Sequence, residues 1–193
     1  MIKGNIKSIL IFLLFITTFI LIESCSNTTK KATEYYKKIY NCTEGIFKSE
    51  DTLIGTITNI RNLQSQQYIA DKYIPDTNIN ISLHINNLDT IYKSFLFSID
   101  SSNKALQGVS EFDGGKLLKN GAIELNSVYK KVAVNYYKQI IDIIKILPDN
   151  YTVEDDTRFQ EISDTINIFL ENEIEKFNKI SEAFISYYGV ELE

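Results

Sequence analysis

The chain has 193 residues, with 25 acidic against 20 basic side chains and a formal net charge of −5. It contains one histidine, two cysteines, two prolines and no tryptophan. An acidic chain without a basic cluster is poorly built to neutralise phosphates, which excludes nucleic acid as a partner.

The first eight residues carry Lys3 and Lys7 and no acid, the pattern of a secretory n-region. Ile9 to Ile22 is apolar apart from Thr17 and Thr18. That length suits a signal h-region and falls short of the ~18–20 apolar residues a membrane-spanning helix needs. The run ends in "ILIESC", which resembles a bacterial lipobox: Ile22, Glu23 and Ser24 lead into Cys25. Residues 1–24 are therefore expected to be a lipoprotein signal peptide. Cys25 is expected to be the lipidation site, carrying diacylglycerol on its thiol and a palmitate-class chain on its new amine. Glu23 departs from the usual small or apolar residue at its position. The alternatives are an ordinary secreted protein cut near Ser24 or Ser26, or an uncleaved anchor. Two or three acyl chains would hold the protein stably, since each buried CH₂ contributes ~0.8 kcal/mol.

Cleavage before Cys25 leaves 169 residues with 18 basic and 24 acidic side chains, a net charge of −6. That is one domain with enough chain for a core. Residues 25–31 read as a short polar tether and 32–193 as the folded domain. With Cys25 acylated, Cys42 has no internal disulfide partner and reads as a buried, inert thiol.

Four stretches carry helical periodicity. The first runs from about Thr29 to Tyr68, with Tyr36, Ile39, Tyr40, Ile46, Phe47, Leu53, Ile54, Ile57 and Ile60 recurring near the 3.6-residue period. Gly45 and Gly55 lie within it and point to a kink or a close helix contact. Pro75 and the polar Asp76–Asn78 break the pattern. The second stretch, Ile81 to Leu106, has two seven-residue series: Ile81, Leu88, Phe95 and Ile85, Tyr92, Ile99, Leu106. "GVSEFDGG" then turns the chain. The third, Lys116 to Leu147, places Leu118, Ala122, Leu125, Val128, Val132, Tyr136, Ile140, Ile143 and Leu147 inward and stops at Pro148. The fourth starts at the N-cap candidate Thr152, with Glu154, Asp155 and Asp156 in its first turn. Its inward face is Phe159, Ile162, Ile166, Phe169, Ile174, Phe177, Ile180, Phe184 and Tyr187, and Gly189 is its stop. No stretch alternates with period two. The economical fold is all-α: an antiparallel four-helix bundle of long helices.

Catalytic and metal signatures fail on inspection. A di-iron bundle needs two Glu-x-x-His motifs, and the residue three before His84 is Ile81. "SEFDGGKLL" lacks the first glycine and the final Ser or Thr of a phosphate loop. No cofactor, metal or catalytic residue is assigned, and the chain is not read as an enzyme. Glu175 and Lys179 share a helix face as an i,i+4 pair. The pairs Tyr35/Tyr36, Tyr136/Tyr137 and Tyr187/Tyr188 are either bundle-flank residues or, if packing gathers them at one end, a recognition patch.

Taken together, the lipobox, the early "ATEYYKKI", the "VNYYKQIIDIIKIL" of the third stretch and the closing "KFNKISEAFISYYGVE" resemble a family of small, uncharacterised bacterial surface lipoproteins with a helical-bundle mature domain. Ala32, Glu34 and Tyr35 carry the opening motif, with Tyr36 in place of an Asn. Glu182, Phe184 and Tyr187/Tyr188 carry the closing one, with Ala183 displaced. The resemblance implies an envelope lipoprotein, at the outer membrane or cell surface, with no activity assigned. The expected role is a non-catalytic binding or interaction module, held to the membrane through acyl chains on Cys25, with a protein partner to be found. The alternative is a periplasm-facing structural accessory subunit of an envelope complex.

Overall fold

The computed structural model describes the backbone of residues 5–73, 81–147 and 150–192, and the side chains of 27–66, 84–147 and 150–192. Pro75, Asp76–Asn78, Pro148 and the side chains of Cys25 and Ile81 lie outside the described residues. The chain is all-helical, with no strand among the described residues. Helix α1 is Asn5–Tyr73, α2 is Ile81–Gly108 and α3 is Lys116–Val132. A π-helical turn, Ala133–Tyr137, joins α3 to α4, Lys138–Ile144, and α5 is Val153–Tyr188. The backbone of α1 continues through Cys25 and the stretch read as a tether. Among the described residues no helix is long and apolar enough to cross a membrane.

The helix ends follow from local chemistry. Thr152 caps α5 with a reciprocal capping box: its hydroxyl accepts from the Asp155 amide, and the Asp155 carboxylate accepts from the Thr152 amide at 3.0 Å. The Thr152 hydroxyl, which also donates to the Asp155 carboxylate at 2.8 Å, and the Thr152 amide hold the Asp155 carboxyl below its usual range. Gly189 ends α5 in the left-handed region at φ 63°, and Val190 N–H closes the cap on the Ile185 carbonyl at 3.0 Å.

The buried row of α1 advances in steps of three and four, alternating from Thr43 onward: Ala32, Tyr35, Ile39, Thr43, Ile46, Glu50, Leu53, Ile57, Ile60 and Gln64. That is the 3.5-residue seam of packed helices. Three polar side chains occupy one register of it, with Thr43, Glu50, Ile57 and Gln64 following at seven-residue intervals. α2 presents Leu88, Phe95, Ile99 and Leu106 to the same core, with Ser102 among them. α3 to α5 complete it with Leu125, Tyr129, Ile141, Ile166 and Phe177. Full burial of a Leu, Ile or Phe side chain stabilises by about 1.5–3 kcal/mol.

Polar pairs fix which parts of the helices meet. Thr29 Oγ1 donates to the Tyr188 carbonyl at 3.0 Å, while Arg61 Nη2 reaches Asp156 Oδ1 at 2.6 Å. Gln64 Nε2 donates to the Ile144 carbonyl at 2.9 Å, and Asn126 Nδ2 to Ser102 Oγ at 2.7 Å. Lys130 bonds Asp100 at 2.9 Å and Lys145 bonds Asp89 at 2.6 Å. These last pairs are partly exposed and contribute about 0–1 kcal/mol each.

Leu118, Ala122, Leu125, Val132, Ile140 and Ile143 of the third stretch are buried as read, and the inward face departs from the reading at three positions. Tyr129 and Tyr137 are buried, while Val128 and Tyr136 are half-buried and Leu147 is exposed. The reason is across the core: Glu50 supplies the acceptor that buried tyrosine hydroxyls need. In α5, Leu170 is buried and Phe169 is exposed, and Tyr187 stands out from the core. In α1, Tyr40 and Ile54 are also exposed. Gly45 and Gly55 make no close helix contact, since a Cβ at either would meet nothing within 4 Å. The close approach is at Gly121, where a Cβ would lie 3.0 Å from Ile180 Cδ1 and 3.4 Å from Phe177 Cδ2, so α3 packs directly on α5.

Candidate functional site

The connection from α2 to α3 folds back onto the core because Phe112 is apolar and the glycines after it permit a tight reversal. Gly115 N–H donates to the Phe112 carbonyl at 2.8 Å, and Gly114 adopts φ +79°, a conformation that favours glycine. Two tyrosines pin this loop from other helices. Tyr35 of α1 donates its hydroxyl to the Gly115 carbonyl, and Tyr188 of α5 donates to the Asp113 carbonyl, each at 3.0 Å. Burial, helped by the Glu111 charge, pushes the Tyr35 hydroxyl pKa up, so it stays a donor.

An aromatic cluster forms around these bonds. The Phe112 ring lies 5.4 Å from Tyr35, 6.0 Å from Phe184 and 5.2 Å from Tyr188. Tyr36 stacks on Phe184 at 6.4 Å. Two of the three tyrosine pairs, Tyr35/Tyr36 and Tyr187/Tyr188, are thus gathered at the end where α1 meets the close of α5. The third pair is elsewhere: Tyr136 packs on Phe169 at 5.7 Å, and Tyr137 is inside the core.

Beside the cluster a groove of about 580 Å³ opens between the start of α3 and the end of α5. Its walls include Leu117, Leu118, Ile180, Ala183, Phe184 and Tyr187, and its one charged lining residue is Lys179. Tyr187 is 81% exposed and Leu117 is 74% exposed. Lys179 bonds Glu175 at 2.6 Å, as the i,i+4 spacing implied. The lining holds no carboxylate, imidazole or thiol. Its chemistry is that of a surface for apolar groups, with a hydroxyl and an ammonium at the rim.

A second constellation lies in the core. Glu50 accepts from Tyr129 at 2.8 Å and from Tyr137 at 2.7 Å, one hydroxyl on each carboxylate oxygen. Burial pushes the Glu50 carboxyl up, against the two hydrogen bonds, which act downward. Burial and the Glu50 charge push both tyrosines far up, so they remain donors. The Phe95 ring meets both edge-on, at 6.3 Å from Tyr129 and 5.6 Å from Tyr137. In the adjoining π-turn the Ala133 carbonyl accepts the Lys138 N–H and, as a second donor, the Tyr92 hydroxyl at 3.0 Å. Both carboxylate oxygens are engaged, and the carboxylate ties α1 to α3 and to the π-helical turn.

Of the remaining residues singled out in sequence, Cys25 lies on α1 with its side chain outside the described residues. Cys42 is a half-buried free thiol whose pKa burial pushes up, which disfavours the reactive thiolate. His84 is half-buried in the opening turns of α2. Among the described residues no group of three or more His, Cys, Asp or Glu is placed to hold a metal ion. Glu50 was missed in sequence although its seven-residue spacing from Thr43, Ile57 and Gln64 was there to find. The groove was missed because it joins residues far apart in the chain. Comparison with family models, curated proteins and solved structures finds no match to this chain.

Proposed function

We propose that the chain is a lipid-anchored protein of the bacterial envelope, related to the small surface lipoproteins it resembles, and that its role is non-catalytic binding. Cys25 carries the acyl chains, and the mature domain is an antiparallel four-helix bundle. The antiparallel arrangement draws support from the contact of Thr29 with Tyr188 and of Arg61 with Asp156, which pair opposite ends of α1 and α5. The observation that carries the binding role is the apolar groove whose walls include the exposed Leu117 and Tyr187. Exposed aromatic side chains beside an apolar floor supply contact area at low entropy cost.

Protease shaving of intact cells tests where the domain faces, with Cys25→Ala as the control for anchoring. Digestion of the wild type, with a periplasmic marker intact, is the expected result. Protection of a membrane-bound wild type favours the periplasm-facing accessory subunit instead. A Cys25→Ala protein held on the membrane as firmly as wild type would remove the anchor from the account.

A further inference from the structure

Position and chemistry together identify what covers the groove. We infer that the groove between α3 and α5 is the face that the domain lays against its own membrane, with Tyr187 and Leu117 entering the lipid interface. The inference rests on anchoring through Cys25.

Thr29 Oγ1 is bonded to the carbonyl of Tyr188, a groove residue. Cys25 is four residues earlier on the same helix, about 6 Å at 1.5 Å per residue. A domain whose acyl chains leave from Cys25 therefore holds this end, and no other, at headgroup level. Arg61 and Asp156 mark the opposite end, thirty-two residues further along α1 and about 48 Å away.

The interface accepts side chains with an apolar body and a polar tip, and Tyr and Lys are enriched there. The groove offers Leu117, Leu118, Ile180 and Phe184 as floor and walls, with the Tyr187 hydroxyl and the Lys179 ammonium at the rim. No acid lines it, so nothing in the contact must be desolvated as a bare negative charge. Apolar burial of the kind seen for interfacial helices, about 5–10 Å into the headgroup–acyl boundary, would cover Tyr187 and Leu117. Lys179 is already paired with Glu175, and Glu111, Asp113 and Glu182 are exposed near this end. Exposed Lys30, Lys31 and Lys116 lie near the same end, so charges of both signs meet the surface there and neutral lipid isolates the apolar contact.

The chain has no tryptophan, which makes a single introduced indole a clean reporter. Tyr187→Trp replaces a side chain that is 81% exposed, and Val153→Trp one that is 79% exposed at the far end of α5, so neither disturbs the core. Each variant, purified with its acyl chains, is placed in vesicles of phosphatidylcholine alone, with and without bromine on the upper acyl carbons. The expected result is a blue-shifted emission from Tyr187→Trp, quenched several-fold more strongly by brominated lipid than that of Val153→Trp. Protein that floats with the vesicles but is quenched equally weakly at both positions overturns the inference and leaves anchoring intact. Protein that does not float overturns anchoring and the inference with it. Emission from Tyr187→Trp that follows protein concentration and ignores bromine would put a second copy in the groove, and would also overturn it.

Discussion

Glu50→Ala is expected to destabilise the protein by about 2–4 kcal/mol, read as a lower urea midpoint at unchanged slope. The substitution removes the acceptor of two buried hydroxyls, and each donor left unpaired costs about 1–3 kcal/mol. Relief of a desolvated carboxylate offsets part of that loss. Glu50→Gln keeps an oxygen for one tyrosine and offers an amide to the other, so its cost should stay within about 1 kcal/mol. The two proteins should also diverge with pH. The folded carboxyl of Glu50 lies above its ordinary value of 4.5 because burial raises it more than Tyr137 and Tyr129 lower it. The folded state thus holds this proton more tightly than the unfolded chain. The stability of wild type relative to Glu50→Gln should be greatest below that ordinary value and fall as pH rises through the raised one. A difference that rises across the same window would contradict the buried-carboxylate account.

Gly114→Ala carries the second large effect, about 2–3 kcal/mol, again from urea unfolding. A Cβ at Gly114 would lie 1.9 Å from Tyr188 Oη and 3.2 Å from its Cζ, at a backbone φ of +79°. The ring must leave its hydrogen bond to Asp113, and the left-handed backbone adds strain of about 1–2 kcal/mol. Tyr188→Phe removes the colliding oxygen and should cost about 1 kcal/mol alone. The double variant should therefore be more stable than the sum of the singles by about 1 kcal/mol, as expected for residues in contact. Strict additivity would mean that the loop and α5 do not meet there.

The helices were legible because their signals are local. Thr152 with Asp155 starts α5, Gly189 ends it, and the turn at Gly114 and Gly115 leads into α3, each through chemistry that spans a few residues. The seven-residue series of α2 lie where the core needs them, with Leu88, Phe95, Ile99 and Leu106 all buried. What failed was the choice between neighbours. Val128 against Tyr129 and Tyr136 against Tyr137 cannot be decided from hydrophobicity, because the decision is made by a carboxylate on another helix. Glu50 itself was invisible to an apolar count, since it is the polar member of a packing seam. The π-turn at Ala133–Tyr137 left no apolar gap to mark it.

The candidate site was half legible. The tyrosine pairs stood out, and two of the three meet at one end. Tyr187, read as the last core residue of α5, instead stands in solvent, while Val190 beyond it is buried. The groove next to it depends on the short side chain of Ala183 and on the Gly114 turn, which are brought together only by the packing of α3 on α5. No periodicity along the chain encodes such a junction.

In the proposed function Cys25 is the first residue of the mature protein and carries its lipid. Intact-mass and N-terminal peptide analysis of the chain extracted from membranes tests this most directly. The expected result is loss of residues 1–24 and a mature chain whose terminal Cys25 carries a diacylglycerol mass, with the added mass absent from Cys25→Ala. A membrane-extracted chain that retains Met1, or that begins elsewhere with an unmodified Cys25, would contradict it.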